Sequence, residues 1–266
     1  FVPEDLAMVS GSTMDQPTRL GALEGMDVWF ARDTRFDTPK ANVFVGLRPP
    51  ATRASARSYV LTQLLVDTIN TNLNAWAYSA SLAGLDYSVY PHLRGITVRV
   101  GGYNDKLHTL MNRILVQVAT PELTEQRFDE LNSFSEALLS QVDPVMLAHG
   151  NLTEASALNL ARQIDAIVLG NSELTEVDRS QVRHLPDTET MVSIEVDHPD
   201  TGYTLYMQGD NTSFEERARF RLLAQIISSP FYEEIRTNRQ LGYIVYATPF
   251  EMLETPALGF VVQSPS

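Results

Sequence analysis

The sequence predicts an α+β fold of duplicated domains, each a mostly antiparallel sheet packed with long helices, the second copy partial. Two observations predict it. Short β-rich runs alternate with long stretches of helical periodicity, and most of the runs come in pairs joined by turns, which is the grammar of hairpins. The order strand pair, long helix, hairpin occurs at residues 26–101 and again at 191–264.

Residues 1–25 are weakly periodic, with a loop signal at Gly11-Ser12-Thr13, and read as an extended linker. A β-rich run at 27–32 and a strand at 42–48, stopped by Pro49-Pro50, are expected to pair as neighbours through the turn-like 33–40. No Pro or Gly interrupts 51–83, where Leu61, Leu65, Ile69, Leu73, Trp76 and Ala80 recur near helical spacing. This predicts a long helix ended by Gly84. Residues 87–90 and 96–100 form a hairpin around Pro91. In its second strand Ile96, Val98 and Val100 share one face, with Thr97 and Arg99 on the other.

Asn104 or Asp105 caps a helix starting near Lys106, with Leu107, Leu110, Met111, Ile114, Leu115 and Val118 on its apolar side. Thr124 starts another near Glu125. A short strand lies at 145–148. Asn151 or Thr153 caps a helix bearing Leu158, Ala161, Ile164 and Val168, which stops at Gly170. Strands at 192–196 and 203–207 flank a turn at 199–202. Ser213-Phe214-Glu215-Glu216 is a capping box opening a helix with Ala218, Leu222, Leu223, Ile226 and Ile227. Pro230 interrupts this helix, a second piece runs to about Gln240, and a hairpin of 243–246 and 258–262 follows. The second copy lacks the helices that should follow its hairpin, and residue 1 is Phe. The chain is therefore expected to be cut from a longer polypeptide at both ends, with one domain at 1–189 and the first part of another at 190–266.

Composition narrows the chemistry. The 266 residues carry a net charge of −13, which argues against a nucleic-acid backbone binder and against docking on anionic lipid. With no cysteine there is no disulfide, thiolate nucleophile or Cys-ligated metal. No apolar run approaches a membrane span. His92, His108, His149, His184 and His198 are scattered, and none has a second His three or four residues away, the spacing that brings two imidazoles to one metal on a helix. His92 and His198 fall in turn contexts, and His149 reads as structural. There is no Gly-x-Ser-x-Gly elbow and no Walker A loop. Glu233-Glu234 faces water. The sequons at Asn151 and Asn211 both precede helices, where capping is the expected role.

One stretch stands apart: Ile235-Arg236-Thr237-Asn238-Arg239-Gln240-Leu241-Gly242-Tyr243. Arg236 falls near a helix end and Tyr243 at a strand start, and Gly242 permits a sharp reversal between them. Two readings of the pair stand. Arg236 and Tyr243 converge to donate hydrogen bonds to a carbonyl or carboxylate; or Arg236 neutralises the preceding carboxylates and Tyr243 fills a strand position.

This stretch resembles the fourth-domain motif of the pitrilysin / insulin-degrading enzyme (insulinase-type) family of zinc metalloproteases. Further matches are Trp29-Phe30, Phe36 with Pro39-Lys40, Leu73-Asn74, Ala77-Tyr78, Leu82-Ala83-Gly84-Leu85 with Tyr87, Gly102-Tyr103-Asn104-Asp105-Lys106, His149-Gly150-Asn151 and Gln225-Ile226-Ile227-Ser228. The family's homologous α+β domains form two halves closing around a chamber, and its N-terminal half carries His-x-x-Glu-His and a distal Glu. The resemblance implies that the duplicated domains are metallopeptidase-like and that this chain is the zinc-motif-free C-terminal half: all or most of a third domain and the first portion of a fourth. It has no catalytic or metal-binding residue of its own, and zinc is expected in the N-terminal half. Arg236 and Tyr243 match the pair that binds substrate near the scissile carbonyl. The implied partners are a peptide substrate and the catalytic half of the same polypeptide, the implied compartment the periplasm, otherwise the cytoplasm. The alternative is a non-enzymatic peptide-binding or scaffold module on a degenerate peptidase fold. One departure is plain: where the family has a long helical segment, this chain passes directly through Ser133-Phe134-Ser135-Glu136, and residues missing from the sequence are expected there.

Overall fold

The computed structural model describes residues 1–21, 23–122, 129–178 and 181–265. The predicted helix start at Thr124 and Glu125 and the side chain of Trp76 lie outside what is described. The chain divides into two compact units, residues 1–179 and 180–266.

The first unit is built on strands β1 (Thr18–Leu20), β2 (Asp27–Arg32), β3 (Lys40–Arg48), β4 (Leu85–His92), β5 (Gly95–Tyr103), β6 (Gln141–Gly150) and the two-residue β7 (Glu173–Leu174). They run in the order β1-β2-β6-β3-β5-β4, with β7 against the start of β6. Alternation decides which face is buried. Ala41, Val43, Val45 and Leu47 of β3 are buried, as are Ile96, Val98 and Val100 of β5 and Val142, Met146 and Ala148 of β6. On the other face Arg99 donates to Asn42 Oδ1 at 2.7 Å, pairs with Asp86 and sits over the Phe44 ring.

Helices α1 (Ala56–Leu82), α2 (Leu107–Ala119), α3 (Asp129–Leu138) and α4 (Glu154–Ile164) complete one core. Leu65, Ile69 and Leu73 of α1, Leu110 and Ile114 of α2, Leu138 of α3 and Leu160 of α4 join the buried sheet face in a single cluster. Each fully buried aliphatic side chain of this kind contributes about 1.5–3 kcal/mol. The ends of α1 and α4 follow their caps. Ser55 Oγ accepts from Ser58 N–H at 3.0 Å and Thr153 Oγ1 from Ser156 N–H at 3.1 Å. Gly84, at φ +74°, carries the chain out of α1 into β4.

Several expectations are corrected. β2 and β3 do not pair with each other. β6 lies between them, parallel to β2 and antiparallel to β3. The connection at 33–39 is too long to impose a tight hairpin. It leaves room for a strand whose alternating apolar residues complete the buried face. Neither Asn104 nor Asp105 caps α2: residues 104–106 form a 3-10 turn, and α2 follows Lys106 without a side-chain cap. Asp105 instead accepts the Glu4 N–H at 2.8 Å. Asn151 does not cap α4. Fully buried, it accepts from Val9 N–H at 2.8 Å and donates to Ala7 C=O at 3.0 Å. The residues expected as an extended linker are thus fastened to the first unit, and β1 extends its sheet. α3 runs unbroken through 133–136.

The second unit contains β8 (Asp200–Gln208), α5 (Phe214–Tyr232), β9 (Ile244–Met252) and β10 (Thr255–Pro265), with the antiparallel order β8-β10-β9. Ala224 of α5, Val245 and Ala247 of β9, and Ala257 and Leu258 of β10 are buried. Residues 192–196 join no ladder among the described residues. Val192, Ile194 and Val196 are 78%, 78% and 68% exposed, because no strand lies alongside to receive them. The predicted turn at 199–202 is also corrected: residues 200–202 already belong to β8, paired to the end of β10. Among the described residues one strand, not two, therefore precedes the long helix of this unit. Half of the predicted capping box forms: Ser213 Oγ accepts from Glu216 N–H at 3.2 Å, while Asn211 Oδ1 takes the Ser213 N–H at 3.0 Å. Pro230 does not end α5, although it removes one i→i−4 hydrogen bond; the winding relaxes just beyond it, at 233–238, into a π-helical turn.

Candidate functional site

The site is built at the exit of α5. The π turn (Glu233–Asn238) keeps the backbone wound as the helix ends, with Arg239 N–H donating to Glu234 C=O at 3.0 Å and Leu241 N–H to Ile235 C=O at 2.9 Å. The Glu234 carboxylate accepts from Arg239 Nε at 2.7 Å and from Asn238 Nδ2 at 3.1 Å, and these bonds hold it below the usual carboxylate range. Arg236 is left out of that network.

The reversal that follows does not use the freedom expected of Gly242. Gln240 adopts the left-handed conformation, at φ +55°. Gly242 serves close approach: a Cβ there would lie 2.6 Å from the Gln263 carbonyl oxygen. The chain is thereby pressed against β10, where Tyr243 N–H donates to Gln263 C=O at 3.0 Å.

The structure brings Arg236 and Tyr243 together. Arg236 Nη1 donates to the Tyr243 carbonyl oxygen, and its guanidinium carbon sits 5.4 Å from the Tyr232 ring centroid. The Tyr243 hydroxyl donates to Asp200 Oδ2, and Gln263 Nε2 donates to the same oxygen at 2.9 Å. Asp200 N–H donates to His198 Nδ1 at 3.1 Å. Tyr243 and Gln263 lower the pKa of Asp200 by donating to its ionised form. The bond to Asp200 and burial raise that of Tyr243, so the phenol stays protonated. Tyr243 is 44% exposed and Arg236 is also exposed, so the pair opens onto solvent.

Asp200 and Gln263 were missed by sequence reading. Asp200 reads locally as a turn residue, and only the long-range pairing of β8 with β10 brings it beside Tyr243. The alternation of 203–207, extended backward, is the one local signal that pointed to it.

Among the described residues no three His, Asp or Glu side chains gather. His149 Nε2 lies 3.4 Å from Asp33 Oδ2, but that carboxylate oxygen already accepts from Arg35 Nη2 at 2.6 Å.

The first unit is an antiparallel-dominated sheet packed with four helices, the second a three-stranded antiparallel sheet with one long helix, and the Arg–Tyr pair lies at that helix's exit. Residues 1–143, more than half of the chain, match the family described as the middle or third domain of peptidase M16. The chain belongs to that insulinase-type family. Residues 222–266 match the domain described as PQQ synthase PqqF-like, C-terminal lobe domain 4. Insulin-degrading enzyme of Bos taurus is 27% identical across 99% of this chain and 32% of its own length. The crystal structure of pitrilysin superposes with a TM-score of 0.74 at 22% identity, over 100% of this chain and 34% of that one. The periplasmic protease PqqL of Escherichia coli gives 0.57 at 13% identity, over 100% and 36%. The chain thus spans about a third of the length of the relatives it matches. Among the described residues no helix is long and apolar enough to cross a membrane.

Proposed function

We propose that this chain is the zinc-free, substrate-positioning part of the C-terminal half of an insulinase-type zinc metalloendopeptidase. Residues 1–189 serve as its third domain and 190–266 as the first part of its fourth. With an N-terminal catalytic half of the same polypeptide the chain encloses a peptide and sets it against the catalytic centre. Zinc belongs to that half, and this chain alone hydrolyses nothing. The compartment in this reading is the periplasm, where the likeness to PqqL points.

The observation that carries the reading is the contact of Arg236 with Tyr243 on an exposed helix exit. A guanidinium has five N–H donors, and one of the Arg236 nitrogens bonds the Tyr243 carbonyl. Its remaining donors are placed to orient a peptide carbonyl and to stabilise negative charge developing on its oxygen.

The test is kinetic. In the full-length polypeptide, Arg236→Ala and Tyr243→Phe are each expected to lower kcat/KM for peptide cleavage by roughly 100-fold, as loss of one preorganised donor does. Zinc content should remain unchanged. Wild-type cleavage rates in both variants would remove the assignment.

A further inference from the structure

We propose that the recess lined by Arg48, Arg53 and Arg94, at one end of the first unit's sheet, binds a carboxylate group carried by an acidic peptide. That the carrier is a peptide rests on the function proposed above; the chemistry of the recess does not.

Three elements bring the guanidiniums together. Arg48 ends β3, Arg53 ends the 3-10 turn Pro50–Arg53, and Arg94 lies in the turn between β4 and β5. Gly95, at φ +143°, permits the approach. A Cβ there would lie 2.1 Å from the Leu47 carbonyl oxygen and 3.1 Å from Arg48 Cα. With no side chain at 95 the turn rests against the end of β3, and Arg94 enters the same recess as Arg48. Val177 and Asp178 complete the lining.

The charges there do not balance. Arg48 Nη2 donates to Asp143 Oδ1 at 2.8 Å, and its Nε to the Asp143 C=O at 3.3 Å. The other carboxylate oxygen of Asp143 accepts the Val177 N–H at 3.1 Å, so that carboxylate is committed. Arg53 Nη1 donates to the Asp178 C=O, a neutral acceptor, at 3.2 Å. The Arg94 guanidinium makes no hydrogen bond or ion pair among the described residues, and its Nε is a buried donor without an acceptor. Three cations thus stand against two carboxylates, Asp143 and the exposed Asp178, which leaves one positive charge over in a chain of net charge −13. Buried donors in native structures have partners, and an orphaned one is costly. One carboxylate restores neutrality and matches the planar geometry of an arginine fork. A phosphate dianion would overshoot.

The experiment measures peptide binding to the full-length polypeptide by fluorescence anisotropy, with a zinc chelator present so that the peptides stay intact. Three labelled peptides differ only in charge: one neutral and amidated, one with a free C-terminal carboxylate, one amidated with an internal Glu. One of the two acidic forms is expected to bind about 10-fold more tightly than the neutral form, and which one it is tells whether the carboxylate comes from a peptide end or a side chain. Arg94→Ala, with its fold checked by circular dichroism, should reduce that preference to less than about 2-fold. Arg94 and Arg48 also depress the pKa of His92, so a carboxylate seated beside them should raise the pH at which His92 titrates in NMR. No preference for either acidic peptide, a preference that survives Arg94→Ala, or a His92 titration unmoved by the bound peptide overturns the site. Displacement of the peptide by inorganic phosphate at lower concentration than by acetate overturns the choice of a carboxylate. A carboxylate preference found beside wild-type cleavage in Arg236→Ala would keep this site and defeat only the Arg236 reading.

Discussion

Buried Asn151, just beyond β6, receives the backbone N–H of Val9 on its side-chain oxygen at 2.8 Å, a contact spanning 142 residues of sequence. The same amide donates to Ala7 C=O at 3.0 Å, so both polar ends of one side chain are satisfied by one extended segment. Asn151→Ala strands both partners and is expected to cost about 1–3 kcal/mol. Urea denaturation measures the loss. Limited proteolysis should cut within residues 1–20 sooner in the variant than in the wild type.

Gly150 precedes that residue at φ +120°, with Lys40 O and Ala41 Cα both 2.7 Å from where a Cβ would stand. Backbone atoms cannot swing aside as a side-chain tip can. Gly150→Ala is expected to destabilise the chain by about 2–4 kcal/mol, combining backbone strain with overpacking. Gly21 has nothing within 4 Å of the same point, so Gly21→Ala should leave the denaturation midpoint in place.

The Arg35 side chain, donating from Nε at 3.0 Å and Nη2 at 2.6 Å, together with the Arg35 backbone N–H at 3.0 Å, holds Asp33 far below the ordinary carboxylate range. The folded pKa is depressed, so the stabilisation is present above the unfolded value of about 3.9 and is lost as pH falls below it. Stability followed by urea midpoints from pH 5 down to pH 2 should therefore decline less steeply in Asp33→Asn than in the wild type. A parallel decline would show that Asp33 gains nothing from the Arg35 contacts.

His92 contrasts with it. Burial first, then the charges of Arg94 and Arg48, lower its pKa. Nδ1 accepts the Arg94 N–H at 3.1 Å, which puts the ring proton on Nε2, facing Thr97 Oγ1 at 3.0 Å. The neutral ring is favoured by folding, so its contribution is present above about pH 6.5 and is lost as pH falls through the folded value. Histidine side-chain NMR should find His92 titrating at lower pH than an ordinary histidine, with its neutral ring in the Nε2–H form. A His92 that titrates at or above the ordinary value would contradict the placement.

What the sequence made legible was local. The alternation of Ile96, Val98 and Val100, the apolar rows of α1 and α2, and the cap at Ser213 are each set by neighbours a few residues away, and the structure has them. The Arg236–Tyr243 contact was legible for the same reason, since both residues lie on one helix-to-strand exit. What escaped was pairing at a distance. The placement of β6 between β2 and β3, the seat of Asn151 on the N-terminal segment and the bond from Tyr243 to Asp200 all join residues far apart in sequence. A single strand's alternation names its buried face but not its neighbours. Residues 192–196 show the converse: a good strand pattern makes no ladder where no partner lies beside it.

The position of β6 also fixes an order of events. Asp27 of β2 pairs with Val145, and Ala41 of β3 with Gly150, so the central strand of the first sheet is the last of its long strands to leave the ribosome. Until then β3, β5 and β4 can assemble, in that order, as a three-stranded antiparallel sheet on α1, while β2 has only the three-residue β1 for company. Closure must wait for contacts of high sequence separation, the slow class of folding step. A pause in synthesis before residue 150 would leave a nascent chain with two open strand edges, and that is the window in which a chaperone has something to hold.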